Sequence, residues 1–187
     1  MRADRLIIQG RKERETMNSA SVQRHPIAPV FDGGSRVLIL GSFPSVKSRE
    51  EMFYYAHPQN RFWRVLAGVV RDAVPCTVDG KKQFLLSHGI ALWDVIASCK
   101  IRGSSDSSVT DVIPNDLAPF FAASPGLPVA VNGKTAERFY RRFDLPQGYP
   151  EPIVLPSTSP ANAAWSLDRL TEAWRTDLAP FLDGNKR

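Results

Sequence analysis

A strand of four apolar residues that runs directly into a loop of glycine, serine and proline is the feature that most restricts the fold of this chain. The strand covers residues 37–40, and residues 41–45, Gly-Ser-Phe-Pro-Ser, form the loop that follows it. A strand without a polar face is typical of a parallel sheet that helices cover on both sides. In open sheets of this kind, ligands bind beyond the carboxyl ends of the strands. The segment therefore predicts both an α/β sheet and the position of a binding site.

Short apolar strands alternate with helix-like segments along the rest of the chain. The patterns predict strands over residues 36–40, 90–96, 129–131 and 152–155, and helices over residues 62–70, 81–87, 114–123, 134–143 and 167–181. This alternation predicts an α/β fold, a three-layer α/β/α sandwich with a central four-stranded parallel sheet. The loops at residues 41–45, 100–110, 132–135 and 156–162 should then meet at one edge of the sheet and form a single cleft.

The length and composition are those of one globular domain. The chain has 187 residues, of which 43% are hydrophobic, and this allows a sizeable core. Residues 1–20 are charged and polar without a sustained period, so we expect a disordered N-terminal extension there and a single domain over residues 21–187. The net charge of +5 suits a protein that touches a few phosphates of a nucleic acid.

The sequence disfavours membrane and metal proteins. No apolar run approaches the roughly 18 residues of a membrane-spanning helix, and the N-terminus lacks the apolar core of a signal peptide. We therefore expect a cytoplasmic protein with no membrane partner. Cys76 and Cys99 are not part of a CxxC pair and have no histidine at ligand spacing, so we expect two reduced thiols, no metal and no cofactor.

Other motifs that could indicate an enzyme are weak in this sequence. Residues 132–135, Asn-Gly-Lys-Thr, end like a Walker A loop, but Pro128 stands where that loop needs a glycine. No histidine follows a serine at the spacing of a nucleophile elbow. His57 has no acidic partner in its vicinity, which favours a hydrogen-bonded structural or phosphate-facing histidine over a general base. His25 and His88 are expected to be structural or solvated.

Aromatic, amide and guanidinium side chains follow the first loop closely. They lie in Tyr54-Tyr55-Ala56-His57-Pro58 and in Asn60-Arg61-Phe62-Trp63. Such a group indicates a pocket for a flat ring that forms hydrogen bonds. For Phe62 and Trp63, at the start of a helix, packing in the core is more common than stacking on a ligand. Together with the loop at residues 41–45, the arrangement resembles motif 1 of the uracil-DNA glycosylase superfamily, and most closely its hypoxanthine-DNA glycosylase branch. The resemblance extends over about residues 25–182.

This resemblance implies roles for particular residues. Motif 1 of the superfamily contains an acidic or amide residue that positions the attacking water, and here that position is Phe43. The hypoxanthine branch looks the same at this position and uses an asparagine further along as the catalytic amide, which matches Asn60. Tyr55 matches the aromatic residue that stacks on the flipped base. The base-binding residues that the resemblance implies are Gly41, Ser42, Phe43, Pro44, Ser45, Tyr55 and His57.

A second loop resembles motif 2 of the superfamily. Ser157 occupies the position of the histidine of the uracil-specific enzymes and of the asparagine of the mismatch-specific ones. The hydroxyls and backbone amides of this loop could bind phosphate oxygens of DNA, and a simple helix-capping turn is the alternative interpretation. The DNA-binding residues expected here are Ser157, Thr158, Ser159, Pro160, Ala161 and Asn162.

The activity implied by the resemblance is that of a monofunctional DNA glycosylase acting in base excision repair. Its expected substrate is DNA that contains deaminated bases, chiefly hypoxanthine, and its expected state is a monomer. Backbone donors near residues 42–45 would accept hypoxanthine and reject adenine, and no lysine is clearly placed for Schiff-base attack on the sugar. A uracil or G:T/U mismatch glycosylase of the same fold, or a nucleic-acid-binding domain without catalysis, are the alternatives.

Overall fold

The structure is a computed structural model that describes residues 21–101 and 108–182. The expected N-terminal extension at residues 1–20, and residues 102–107 of the predicted 100–110 loop, lie outside the described residues. The elements are β1 Ser21–Arg24, β2 Val37–Gly41, α1 Val46–Glu50, α2 Phe62–Val70, α3 Val78–Ser87, β3 Ile90–Asp94, β4 Ile96–Ile101, β5 Thr110–Pro114, α4 Ala118–Ala123, β6 Val129–Asn132, α5 Lys134–Phe143, a short 3-10 turn at Leu145–Gln147, β7 Ile153–Leu155 and α6 Leu167–Leu182.

The centre of the molecule is a four-stranded parallel sheet in the order β3-β2-β6-β7. This confirms the predicted sheet. All five residues of β2 are buried, because the strand lies between β3 and β6 and helices cover both of its faces. Its side chains alternate between two cores, with Val37 and Ile39 in one and Leu38 and Leu40 in the other. That two-sided burial explains why the strand has no polar face in the sequence.

Helices form the two outer layers. On one face, α2, α3 and α6 pack against the sheet, with Phe62, Leu66, Leu85 and Trp174 buried in a single cluster. On the other face, α4 and α5 do the same through Phe120 and other apolar side chains. The predicted helices at residues 62–70 and 134–143 have the bounds of α2 and α5. None of the helices in the described ranges is long and apolar enough to cross a membrane.

A second sheet is present that the sequence pattern does not predict. It is antiparallel, with the order β1-β4-β5. The predicted strand over residues 90–96 was wrong in extent: β3 ends at Asp94, and the chain enters β4 at Ile96. The turn between the two strands is fixed because the backbone N–H groups of Val95 and Ile96 donate to the carbonyl oxygens of Gly41 and Ser42, at 2.9 and 3.1 Å.

This second sheet also corrects two other predictions. The 100–110 segment does not begin as a loop at the edge of the parallel sheet, since Lys100 and Ile101 belong to β4 and Thr110 begins β5. The helix predicted from Pro114 begins only at Ala118. Asn115 prevents an earlier start, because its backbone N–H donates to the carbonyl of Val95 at 2.7 Å and its side chain donates to the carbonyl of Asp94 at 2.8 Å.

Candidate functional site

A cavity of about 490 Å³ opens at the carboxyl ends of the parallel strands. The loops at residues 41–45 and 157–161 both line it, as the strand order predicts. Asn132, at the end of β6, also lines it, whereas Gly133, Lys134 and Thr135 border an adjoining groove together with Asn162. Of the sequence-predicted residues, the cavity brings together Gly41, Ser42, Phe43, Pro44, Ser45, Tyr55, His57, Asn60, Ser157, Thr158, Ser159, Pro160 and Ala161.

The floor of the cavity is formed where β2 and β3 end side by side. Gly41 and Asp94 are register partners in these strands. A Cβ atom at Gly41 would overlap Oδ1 of Asp94 and would lie 2.8 Å from the hydroxyl of Tyr55, so only glycine leaves room for both groups. Asp94 is only 4% exposed and borders the cavity. The close approach at Gly41 therefore places a carboxyl group in the floor.

Hydrogen-bond donors lie next to this carboxyl group. Within residues 21–101 and 108–182, the backbone N–H groups of Ser42 and Phe43 donate to no protein acceptor. Both residues line the cavity, at the strand end where ligands of such sheets bind. The floor thus presents an acceptor, the Asp94 carboxyl, on one strand and free donors on the next.

Tyr55 forms one wall. Its ring stacks on Phe62 with a centroid separation of 3.9 Å and an interplanar angle of 14°, and its hydroxyl accepts a hydrogen bond from Nδ2 of Asn132 at 3.1 Å. Burial raises the pKa of Tyr55, and the charge of Asp94 raises it further, so the phenol is neutral. Its φ of 52° lies in the left-handed region, a costly conformation for a tyrosine that the packing enforces.

Phe43 lies in the position where the resemblance places a water-positioning group in other members. Its half-buried ring packs against the second core cluster, and the guanidinium of Arg49 lies 5.6 Å from the ring centroid. Arg49 in turn donates to the carbonyl of Pro44 at 2.7 Å. Phe43 therefore contributes an apolar surface and no polar atom of its side chain to the cavity.

Asn60 lines the cavity just before α2. Its Oδ1 accepts a hydrogen bond from the backbone N–H of Phe62 at 3.0 Å, which satisfies one of the free donors at the start of the helix. Its Nδ2 donates to no protein group in the part of the chain that the structure describes. The amide is therefore held in one orientation, with its donor side unoccupied.

Arg61 connects the motif 1 segment to the serine-rich loop. Its guanidinium donates to the carbonyl oxygens of Ser159 at 2.7 Å, Asn162 at 2.9 Å and Thr158 at 3.4 Å, and also to that of Trp165. Its backbone N–H donates to the Thr158 carbonyl at 3.1 Å. Because the whole guanidinium is used inside the protein, Arg61 holds the loop in place and does not face a ligand.

Asn132 and Thr158 complete this framework. The backbone N–H of Thr158 donates to Oδ1 of Asn132 at 3.1 Å, and Nδ2 of Asn132 donates to the Thr158 hydroxyl at 2.9 Å. Thr158 is fully buried, so its side chain supports the loop from inside. Ser157 and Ser159 accept backbone N–H groups of the same loop at 3.2 and 3.3 Å. The exposed tip is formed by Pro160 and Ala161.

The rim of the cavity carries His57, Ser45 and Lys47. His57 is exposed, and its Nδ1 accepts the backbone N–H of Gln59 at 3.2 Å. The Ser45 hydroxyl caps α1 by accepting the N–H of Ser48 at 3.2 Å. Lys47 forms ion pairs with Glu51 at 2.9 Å and Glu50 at 3.5 Å, and the hydrogen bond with Glu51 raises the pKa of Lys47.

Across the described ranges, no three His, Cys, Asp or Glu side chains form a group that could hold a metal.

Sequence reasoning missed Asp94 as a residue of the site and missed the roles of Asn132 and Arg61. Asp94 follows the apolar run Ile-Ala-Leu-Trp, and an acidic residue that ends a buried strand could have signalled a place at the ligand-binding edge. Asn132 was expected at the cleft as part of the 132–135 loop, but not as the residue that holds Tyr55 and Thr158 together. No sequence signal identifies the partners of Arg61, because all four carbonyl groups lie about a hundred residues further along the chain.

The fold and the cavity define a class of protein in which a parallel sheet, covered by helices on both faces, has a cavity at its carboxyl edge. The cavity lies between a strand-loop segment and a serine-rich loop. The family model of the uracil DNA glycosylase superfamily matches residues 28–179. The chain belongs to this superfamily.

Individual relatives agree with this assignment. The chain is 36% identical over 145 residues to a hypoxanthine DNA glycosylase of Methanosarcina acetivorans, which covers 76% of this chain and 90% of the relative. It is 32% identical over 143 residues to a hypoxanthine DNA glycosylase of Methanosarcina barkeri, with coverages of 75% and 89%. A solution NMR structure of a candidate uracil DNA glycosylase from Methanosarcina acetivorans has 31% identity and a TM-score of 0.69, and covers 84% of this chain and 99% of that one.

Proposed function

We propose that this protein is a monofunctional DNA glycosylase that hydrolyses the N-glycosidic bond of deaminated bases, chiefly hypoxanthine, in base excision repair. The observation that carries the proposal is the floor of the cavity, where the Asp94 carboxyl lies beside the free backbone N–H groups of Ser42 and Phe43. The names of the two Methanosarcina relatives support the same substrate.

The floor is complementary to a lactam edge. Hypoxanthine presents a C6 carbonyl next to an N1–H, which suits a backbone donor beside a carboxylate acceptor. Adenine presents an amine next to an N1 lone pair, so both contacts would be unfavourable and buried groups would stay unpaired. Guanine shares the lactam edge, but its three-bond pair with cytosine makes extrusion from the duplex more costly than extrusion of a weakly paired lesion.

The walls of the cavity suit a flipped base. A base must leave the stack to reach the cavity, and this costs a few kcal/mol. Stacking on Tyr55 would recover about 1–3 kcal/mol of it, by analogy with proteins that bind single strands. Because Phe62 and Asn132 already hold the tyrosine, little further ordering is needed when the base arrives.

Asn60 is the proposed catalytic residue, and the structure restricts how it can act. Its Oδ1 accepts the Phe62 N–H, which fixes the amide, and its Nδ2 is the polar atom of the side chain without a protein partner in the described residues. A donor at this place can hold the attacking water by its oxygen, or stabilise negative charge on the departing base while the sugar becomes oxocarbenium-like. Water then supplies its oxygen to C1′, and the base leaves with a proton.

Strand cleavage is not expected, because Lys47 is a poor nucleophile. It is the lysine that lines the described cavity, and its ion pairs with Glu51 and Glu50 stabilise the ammonium form. An ammonium group has no free electron pair to attack C1′. The product would be an abasic site in an intact strand.

The proposed partner is DNA that contains a deaminated base, with the loop at residues 157–162 against the phosphates. We propose that the enzyme acts as a monomer in the cytoplasm, with one glycosylase domain over residues 21–187 and without a metal or other cofactor. Each step above uses side chains and backbone groups of one chain.

A panel of duplexes tests the proposal. Each duplex carries one hypoxanthine, uracil, xanthine or mismatched thymine, and base release is measured under single-turnover conditions. We expect the highest rate with hypoxanthine and none with an adenine:thymine control. A preference for uracil or thymine opposite guanine would instead support a mismatch or uracil glycosylase of this fold. Salt-dependent binding without release from any duplex would indicate a binding domain without catalysis.

A further inference from the structure

His25 lies behind the cavity floor, in the segment that joins β1 to β2. Its Nε2 is 2.8 Å from Oδ2 of Asp94, and the side chains of both residues are at least 95% buried. The rings of Phe43, Tyr54 and Trp93 surround the imidazole at centroid distances of 6.0, 6.1 and 6.1 Å. A polar ring in such an apolar setting needs hydrogen-bond partners on both nitrogens.

The hydrogen bond at the second ring nitrogen, Nδ1, determines which nitrogen of His25 carries the proton. The backbone N–H of Ile27 donates to Nδ1 at 3.2 Å, so Nδ1 acts as an acceptor. The hydrogen of the neutral imidazole is then on Nε2, which donates to Asp94. Asp94 therefore takes part in this hydrogen bond as the acceptor.

The hydrogen bond also leaves the two carboxylate oxygens of Asp94 in different surroundings. Oδ2 is occupied by His25, whereas Oδ1 is the oxygen packed against Gly41 near the Tyr55 hydroxyl. A carboxyl group without this partner could rotate or take up a proton, and a protonated oxygen could donate to the N1 lone pair of adenine. Because the bond to His25 keeps Asp94 a hydrogen-bond acceptor, it excludes this contact with N1 of adenine.

We propose that His25 is a positioning residue for Asp94 and thereby sets the preference of the site for bases with a lactam N–H over adenine. The inference rests on the proposed function, since it assumes that Asp94 faces the flipped base. It assigns His25 no contact with the substrate.

Binding to uncleavable DNA tests the inference independently of catalysis. The probes are duplexes with a 2′-fluoro-arabino inosine or a 2′-fluoro-arabino adenosine at one position, because the fluorine opposes the cationic sugar and blocks hydrolysis. His25→Leu removes the donor, and His25→Gln keeps an N–H near the place of Nε2. His88→Leu is the matched control, because His88 forms the same kind of pair with Asp72, at 3.0 Å, away from the cavity.

We expect His25→Leu to lower the inosine-to-adenosine affinity ratio about 10- to 100-fold, the range seen when partners that orient metal ligands are removed. His25→Gln should restore most of the ratio, and His88→Leu should leave it unchanged. Single-turnover release of hypoxanthine should follow the same order. A wild-type ratio in folded His25→Leu, or a His25→Gln variant as poor as His25→Leu, would overturn the inference.

Two further results separate this inference from the proposed function. If the wild-type protein prefers the inosine probe but releases no base, the glycosylase proposal fails and the role of His25 is still decided by the affinity ratios. If the wild-type protein shows no preference between the probes, the inference is overturned.

Imidazole NMR of the unaltered protein, which has three histidines, adds a test without variants. Protonation of His25 at Nδ1 in place of Nε2 also overturns the inference.

Discussion

Some side chains of the cavity maintain its shape through hydrogen bonds within the protein, and others have polar atoms available to contact a substrate. Arg61 and Asn132 have all their polar atoms bonded within the protein, whereas Asn60 has one free donor. Asn60 combines both roles, since its oxygen accepts the N–H of Phe62 at the start of α2 and the residue lines the cavity. A substitution at this residue must therefore separate capping from catalysis.

Asn60→Asp makes that separation. Aspartate keeps an oxygen for the Phe62 N–H and is as good a cap as asparagine, but it has no amide donor. We expect single-turnover excision of hypoxanthine to fall by about two orders of magnitude or more, with little change in DNA affinity or melting temperature, because the lost contact belongs to the transition state. Asn60→Ala should lose the same activity and in addition about 1 kcal/mol of stability. Unchanged rates in either variant would remove Asn60 from its proposed role.

Phe43 and Tyr55 should respond differently to substitution. Phe43→Leu should keep much of the hypoxanthine activity, because an apolar wall tolerates a side chain of similar character. Tyr55→Ala should raise the Michaelis constant and slow turnover, because it removes the stacking surface and the partner of Asn132. Steady-state kinetics of both variants, after circular dichroism confirms that they are folded, provide the measurement. An inactive Phe43→Leu beside a fully active Tyr55→Ala would reverse the two assignments.

Among the elements, the serine-rich loop depends on a side chain that is distant in sequence. Arg61→Met keeps the aliphatic part of Arg61 but removes every guanidinium bond to residues 158–165. Partly buried carbonyl groups would lose a charged donor, so we expect a loss on the order of 3 kcal/mol in the free energy of unfolding, and weaker DNA binding. Arg64→Met, at an exposed position of the same helix, is the control and should change neither. Equal melting temperatures of the two variants would contradict this role.

The carboxyl end of α5 carries a buried carboxyl group that makes the stability of the fold depend on pH. Asp144 is fully buried, and neither of its carboxylate oxygens has a hydrogen-bond partner within residues 21–101 and 108–182. Burial raises its pKa from 3.8 to about 7. Between about pH 4 and about pH 7, Asp144 of the folded protein therefore keeps a proton that the unfolded chain has released. The free energy of unfolding falls as the pH rises through this range, by up to about 4 kcal/mol.

Asp144→Asn should remove this dependence. We expect the variant to be more stable than the wild-type protein by roughly 2 kcal/mol at pH 8, less than the full effect because a buried amide without partners is also unfavourable. At pH 4 the order should reverse and the variant should be less stable by roughly 2 kcal/mol, because the protonated wild-type carboxyl then regains the pH-dependent free energy of about 4 kcal/mol while the buried amide stays without partners. Urea unfolding at several pH values measures it, with the exposed Asp177→Asn as control. A variant that is less stable than the wild-type protein at pH 8 would contradict the assignment.

The elements that could be predicted from the sequence are those with a strong local pattern. The apolar run of β2 and the spacings of α2 and α5 identify them almost to the residue. The antiparallel sheet escaped prediction because β4 and β5 carry mixed burial patterns, and β5 has no buried residue. The position of the cavity followed from the strand order. Asp94, His25 and Arg61 could not be placed, because their partners are set by register and tertiary packing.

At the scale of the whole molecule, the parallel sheet brings three distant segments together around one cavity. The strand ends supply the acceptor and donors of the floor, the segment before α2 supplies Tyr55 and Asn60, and Arg61 holds the serine-rich loop over them. In the proposed function, the floor binds the base, and Asn60, in the segment before α2, takes part in catalysis. The central claim is that both act on the same base.

Mass-spectrometric analysis of one reaction tests that claim most directly. The wild-type protein and Asn60→Asp are each incubated with a duplex that contains a single deoxyinosine, and the released base and the DNA strand are both identified. The account predicts free hypoxanthine and an intact strand with one abasic site from the wild-type protein, and the unaltered duplex, still bound, from Asn60→Asp. Release of no base by the wild-type protein, or a strand cut without alkali, would contradict it.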